Sequence, residues 1–102
     1  MKNYGLIGKS LKHSFSETYF NKKFRKLNLK NCHYNNYEIK NVGVVKELIK
    51  KNNLIGLNVT IPFKEEIIKI LDKLDRNAKI TNSVNTIKLE KNKLIGYNTD
   101  II

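Results

Sequence analysis

Short apolar runs closed by turn residues alternate along this chain with stretches of helical period, and that alternation restricts the fold more than any other feature. "YGLIG" (4–8) is an apolar run ended by glycine and reads as a buried strand entering a turn. From Ser16 or Glu17 to about Leu27, apolar residues at Tyr19, Phe20, Phe24 and Leu27 recur at helical spacing. "CHYNNYEI" (32–39) reads as a strand, "VGVVKELIKKN" (42–52) as a helix and "LIGLNVTI" (54–61) as a strand. A further helix is expected from Pro62 to about Leu74, because proline suits a first helical position where its missing N–H costs nothing. "SVNTIKLE" (83–90) and "KLIGYNTD" (93–100) read as two strands joined through "KNK". The sum is an α/β fold, a mostly parallel sheet flanked by helices, with a C-terminal β-hairpin adding an antiparallel strand.

A length of 102 residues suits one compact domain, 1–102. The closing "DII" stops in mid-pattern, and Ile101 and Ile102 read as the opening of a further element, so a longer parent protein is expected. No apolar run approaches the ~18–20 residues of a membrane span, and the N-terminal apolar patch is too short for a signal peptide. The expectation is a cytoplasmic protein with no membrane partner. Cys32 is the only cysteine, so it has no internal disulfide partner, and no zinc-ligand spacing surrounds it. A net charge of +11 invites a nucleic-acid reading, but the basic residues are nearly all lysine, with arginine only at Arg25 and Arg76. Phosphate clamping and base readout favour arginine, and the lysines are spread along the chain, so a solvated basic surface is the preferred reading.

Chemistry concentrates in a few turns. "KSLKHSFSE" (9–17) places three serines and His13 between the first strand and first helix, at the carboxyl end of a strand where open α/β sheets bind ligands. Ser14-x-x-Glu17 fits a capping box, which accounts for one hydroxyl. Ser16 is left over, and two hydroxyls beside a helix start make a carboxylate or phosphate site. His13 reads as a structural imidazole, with acid–base use the alternative. "GLIGKS" resembles the end of a P-loop but lacks the required glycine, since position 3 is asparagine. Asn58 and Thr60 fall at the end of the third strand and share a face, Lys64 follows, Asn85 opens the hairpin, and Asn98 and Asp100 lie at its far end. Lys64 would sit in the first turn of the helix expected from Pro62, where a cation is disfavoured. If Lys64 and Asp100 meet, the aspartate orients an amine able to exchange a proton with a hydroxyl or carbonyl. The ligand such a set suits is a small polyhydroxylated acid.

"HSFS", "NVTIPFKEE", "SVNT" and "GYNTD" resemble, in order and spacing, the N-terminal substrate-binding domain of shikimate dehydrogenase. The resemblance implies reversible reduction of 3-dehydroshikimate to shikimate with NADPH, in the route to chorismate and the aromatic amino acids. It implies that Ser14 and Ser16 hold the substrate carboxylate, and that Thr60, Asn85 and Asp100, with Asn58 as a weaker candidate, bind the ring. It also implies that Lys64 transfers the proton, paired with Asp100. NADP would be bound by a separate C-terminal Rossmann domain that this chain does not contain; no G-x-G-x-x-G is present. Where the family has Gly-Ala before "VNT" this chain has Asn82-Ser83, and asparagine tolerates positive φ if the backbone needs it. The rival readings are a non-catalytic module binding shikimate or quinate, and a basic nucleic-acid-binding domain.

Overall fold

The computed structural model describes residues 1–12 and 14–100. Six strands, β1 (Lys2–Gly8), β2 (Cys32–Glu38), β3 (Leu54–Val59), β4 (Lys73–Leu74), β5 (Thr86–Glu90) and β6 (Lys93–Tyr97), form one sheet in the order β2-β1-β3-β5-β6-β4. β1 is parallel to both β2 and β3, and β4 is parallel to β6. β5 is antiparallel to β3 and to β6, so it alone runs against the rest, in keeping with the parallel sheet and single reversed strand expected from sequence. Lys91 and Asn92, both at positive φ (49° and 65°), make the two-residue hairpin turn whose twist matches that of the flanking strands.

Among the described residues three α-helices accompany the sheet: α1 (Ser16–Lys26), α2 (Val45–Asn52) and α3 (Arg76–Thr81). The main core packs Ile7, Leu57, Val59 and Ile87 of the sheet against Val45 and Ile49 of α2, Ala78 of α3, and Phe63 and Ile67. A second cluster on α1's side of the sheet joins Leu6, Leu11 and Tyr34 to Phe20 and Phe24 of α1. Gly96 allows close packing, because a Cβ there would meet Cγ2 of the fully buried Val84 at 2.8 Å. Among the described residues no helix is long and apolar enough to cross a membrane.

Two expectations about local structure are corrected. The helix anticipated over 62–74 does not form: Ile61–Pro62 is a cis bond in a turn, a short 3-10 helix covers Glu66–Ile70, and β4 follows. Asp72 explains the change, since its N–H donates to Leu94 O (2.8 Å) and its Oδ2 accepts from Leu94 N–H (2.7 Å), drawing the segment onto the edge of β6. Lys64 is therefore in a turn and not at an α-helix start, so no α-helix dipole opposes its charge there. α3, not anticipated, starts where Asp75 Oδ1 accepts the Ala78 N–H at 2.8 Å and ends at Asn82, whose φ of 53° matches the tolerance expected of asparagine there.

The capping box is the second correction. Phe15 precedes α1 without a side-chain cap, and Glu17 Oε2 accepts the Asn36 N–H of β2 at 2.8 Å. β2 is an edge strand, and its outward N–H groups have no ladder partner, so they draw the carboxylate away from the helix. Asn21 acts on the same edge: its amide donates to Tyr34 O (2.7 Å) and accepts from Tyr34 N–H (2.9 Å), fastening α1 to β2.

Candidate functional site

Because β5 runs against its neighbours, the carboxyl ends of β1, β3 and β6 share one rim with the start of β5. Backbone bonds tie the rim segments together. Thr60 N–H donates to Ile7 O (3.0 Å), Val59 N–H to Asn85 O (2.8 Å), Asn85 N–H to Tyr97 O (3.0 Å) and Val84 N–H to Lys64 O (2.8 Å). The turn after β3, the entry to β5 and the exit from β6 are thus held to one another directly.

Lys64 and Asp100, 36 positions apart, meet here: Lys64 Nζ donates to Asp100 Oδ2 at 3.4 Å. Their side chains are 37% and 63% exposed, so both remain accessible to a ligand. The aspartate loop is fixed from below by Asn98, only 6% exposed. Asn98 Nδ2 donates to Thr81 Oγ1 (3.1 Å) and Ser83 O (3.2 Å), and its Oδ1 accepts the Asp100 N–H (2.9 Å). A buried amide with three bonds thus holds the loop to the end of α3.

Asn85 lies in the same rim. Its Oδ1 accepts from the Thr99 N–H (3.1 Å) and the Thr86 hydroxyl (3.0 Å), while its Nδ2 donates to Thr99 Oγ1 (2.9 Å). Asn58 is engaged at both amide atoms: Oδ1 accepts the Tyr34 phenol proton at 2.9 Å, and Nδ2 donates to Thr86 Oγ1 at 3.5 Å. Thr60 packs its methyl over Gly8, where an added Cβ would lie 2.6 Å from it, and among the described residues its hydroxyl bonds to none of the other candidates.

At the serine end, the Ser16 N–H donates to Ser14 Oγ at 3.4 Å, and both residues are half-buried. The Ser16 hydroxyl neighbours the Tyr34 phenol. Burial pushes that phenol up from 10.0 to about 12, the Ser16 hydrogen bond acting as the smaller, opposing influence, so Tyr34 is a neutral donor near pH 7. Glu17 is occupied by β2, which turns its charge onto an N–H. His13 lies outside the described residues, as do Ile101 and Ile102.

The geometry therefore joins Lys64 to Asp100, Ser14 to Ser16, and Tyr34 to Asn58 and on to Asn85 through Thr86, Tyr34 and Thr86 being two side chains that sequence reasoning did not single out. Thr99 is the third such residue. Thr86 and Thr99 sit inside "SVNT" and "GYNTD", adjacent to residues that were noticed, whereas Tyr34 lies in a strand with no catalytic pattern. Chemically, among the described residues, the rim offers a cation held by a carboxylate, flanked by neutral hydroxyls and amides. Among the described residues no group of three His, Cys, Asp or Glu could hold a metal ion. A cleft of about 940 Å³ opens at the opposite end of the sheet, between Lys46, Asn53, Leu89 and Asn92, and holds none of these groups.

Comparison with known proteins gives a consistent picture. Residues 6–87 match the family model described as the shikimate dehydrogenase substrate binding domain. The shikimate dehydrogenase (NADP(+)) of Clostridium beijerinckii is 44% identical over 102 residues, an alignment taking in 98% of this chain and 37% of that protein. The crystal structure of shikimate dehydrogenase 1 from Peptoclostridium difficile superposes with a TM-score of 0.90 at 41% identity, over 98% of this chain and 38% of that one. The Listeria monocytogenes enzyme, solved in complex with shikimate and NAD, gives a TM-score of 0.88 at 36% identity, over 98% of this chain and 35% of its own. This chain thus spans little more than a third of the length of the relatives it matches.

Proposed function

This chain belongs to the shikimate dehydrogenase substrate-binding-domain family, and from that premise we propose that it is the substrate-holding half of an NADP-dependent shikimate dehydrogenase. The observation that carries the reading is the contact between Lys64 and Asp100, brought together on the rim from 36 positions apart. An amine held by a carboxylate, open on its outer side, is built to pass a proton to an oxygen of a bound ligand.

In this reading shikimate lies along the rim. Ser14 and Ser16 take its carboxylate, Thr60, Asn85 and Asp100 its ring hydroxyls, with Asn58 behind them. When the ring carbonyl of 3-dehydroshikimate is reduced, Lys64 donates a proton to the oxygen on which negative charge builds; in the oxidative direction it accepts the hydroxyl proton. Asp100 keeps the ammonium pointed at that oxygen, and the Asn98 amide keeps Asp100 in place. The Asn58 and Asn85 amides and the Asp100 backbone are held before the ligand arrives, so little of the binding free energy is lost to ordering them.

The dinucleotide does not fit the described residues. A pyrophosphate cradle needs glycine where backbone approaches phosphate, yet the space a Cβ would take at Gly8, the one glycine beside the first βα turn, is filled by Thr60 and Leu11. These residues are accordingly assigned the substrate side of the reaction alone, and NADP a domain outside them. The test is a ¹⁵N-resolved amide titration of the full-length protein with shikimate, alongside an assay of NADP-dependent shikimate oxidation. Saturable shifts clustered at 14–16, 58–64, 85 and 98–100, with turnover, are expected. A spectrum unmoved by millimolar shikimate, or shifts confined to the opposite cleft, would overturn the assignment.

A further inference from the structure

The rim contains a hydrogen-bond chain whose direction is forced from one end. A backbone N–H can only donate, so the Thr99 N–H commits Asn85 Oδ1 to accept (3.1 Å). With that oxygen turned inward, the Thr86 hydroxyl next to it must donate as well (3.0 Å). Thr86 Oγ1 is then left to accept, which turns Asn58 Nδ2 toward it (3.5 Å) and Asn58 Oδ1 toward β2. The only remaining arrangement for Tyr34 is to donate its phenol proton to that oxygen (2.9 Å).

Tyr34 suits the far end of that chain because its ring and its backbone are both held by neighbours. It is 3% exposed, its ring stacks on Phe20 with centroids 4.6 Å apart, and both its backbone groups are bonded to Asn21. The consequence falls at the other end. Asn85 Oδ1 already has two donors, so all that Asn85 can offer a ligand is its second N–H; Thr99 Oγ1 accepts from Asn85 and has its own proton to give. Asn85 therefore meets a ligand as a donor only, and with the Thr99 proton beside it can hold an oxygen acceptor.

We propose that Tyr34 and Thr86 are positioning residues, which together with the Thr99 N–H hold Asn58 and Asn85 in one amide orientation so that Asn85 and Thr99 face substrate as donors to a single hydroxyl or carbonyl oxygen. Neither residue touches the reacting atoms; both act through Asn85. The inference rests on the reading of the rim as the shikimate site, and its test separates the two.

The experiment uses full-length protein with Thr86→Val, Thr86→Ser and Tyr34→Phe, reading the side-chain NH₂ resonances of Asn58 and Asn85 without ligand and the steady-state constants for shikimate. Thr86→Val should move both NH₂ signals and raise the shikimate KM about tenfold, the size of one lost hydrogen bond, with a smaller change in kcat. Thr86→Ser, which keeps the hydroxyl, should restore both. Tyr34→Phe should move the Asn85 signal although no atom of Tyr34 bonds to Asn85, and it serves alone if Thr86→Val does not fold. Unmoved Asn85 signals in the folded variants, or a serine variant no better than valine, would overturn the inference. Wild-type protein that neither binds nor oxidises shikimate would sink the functional reading instead, and the NH₂ signals would still decide the direction of the chain.

Discussion

Leu6 and Ile7 are neighbours in β1, yet they face two different interiors. Ile7 points into a broad aliphatic core shared with α2, α3 and the 3-10 helix, where Ile7, Val45, Ile67 and Val84 are wholly buried. Leu6 points toward α1, a helix with no fully buried residue, across a small cluster of tyrosine and phenylalanine rings. The first face is the source of most of the apolar burial and so of stability. The second is held largely by directional contacts: the Asn21 amide, the Glu17 carboxylate and the Tyr34 hydroxyl. One side of the sheet makes the fold, and the other carries the polar chain that orders the rim. Substitutions on the two faces should therefore fail in different ways.

The largest effect is expected from Ile67→Ala, which empties the fully buried side of the core. It should lower unfolding free energy by about 2–5 kcal/mol in a urea titration, and a loss below about 1 kcal/mol would mean that the main core is not where stability resides. Alkaline pH probes the other face next. The Tyr34 phenol is raised from 10.0 to about 12 in the folded state, so the neutral form is favoured by folding. The resulting stabilisation is fully present below pH 10 and is lost as pH rises through 12, a decline of order 2 kcal/mol that Tyr34→Phe should remove. Chemical denaturation at stepped pH, wild type against variant, gives the comparison.

Phe20→Ala comes third. Phe20 is only half-buried against Tyr34, so the loss should be about 1–2 kcal/mol, well under the Ile67 value, while shikimate binding weakens out of proportion. Calorimetry of ligand binding and of unfolding on the same sample would show the split. The smallest stability effect belongs to Asp100→Asn: an ion pair with partners 37% and 63% exposed should contribute less than about 0.5 kcal/mol, and that little should vanish in high salt. A larger, salt-insensitive loss would show that the pair supports the fold and not the chemistry.

How far the sequence disclosed this arrangement depended on whether local signals agreed with tertiary ones. β1, β3, α1 and the hairpin were legible because apolar period, turn residues and length all pointed the same way. The 62–74 segment was not: "EEIIKIL" has helical spacing, but Asp72 finds better partners on the edge of β6, and the 3-10 turn is all that survives. α3 was missed although Asp75 and Asn82 bracket it as caps, since six residues are too few to show a period. In the rim, Lys64, Asp100 and Asn85 stood out as polar residues at strand ends. Tyr34, Thr86 and Thr99 did not, because their role depends on the order β2-β1-β3-β5, which no local pattern encodes.

The direct test of the central claim is Lys64→Ala in the full-length protein, with shikimate affinity measured by titration and turnover measured with NADP. Loss of a positioned proton donor should lower kcat by roughly 10²–10⁴-fold, with shikimate affinity changed far less and thermal stability nearly unchanged, as suits an exposed side chain. Turnover within a few-fold of wild type would contradict the account, because the contact between Lys64 and Asp100 would then be a surface ion pair and the proton would have to come from elsewhere.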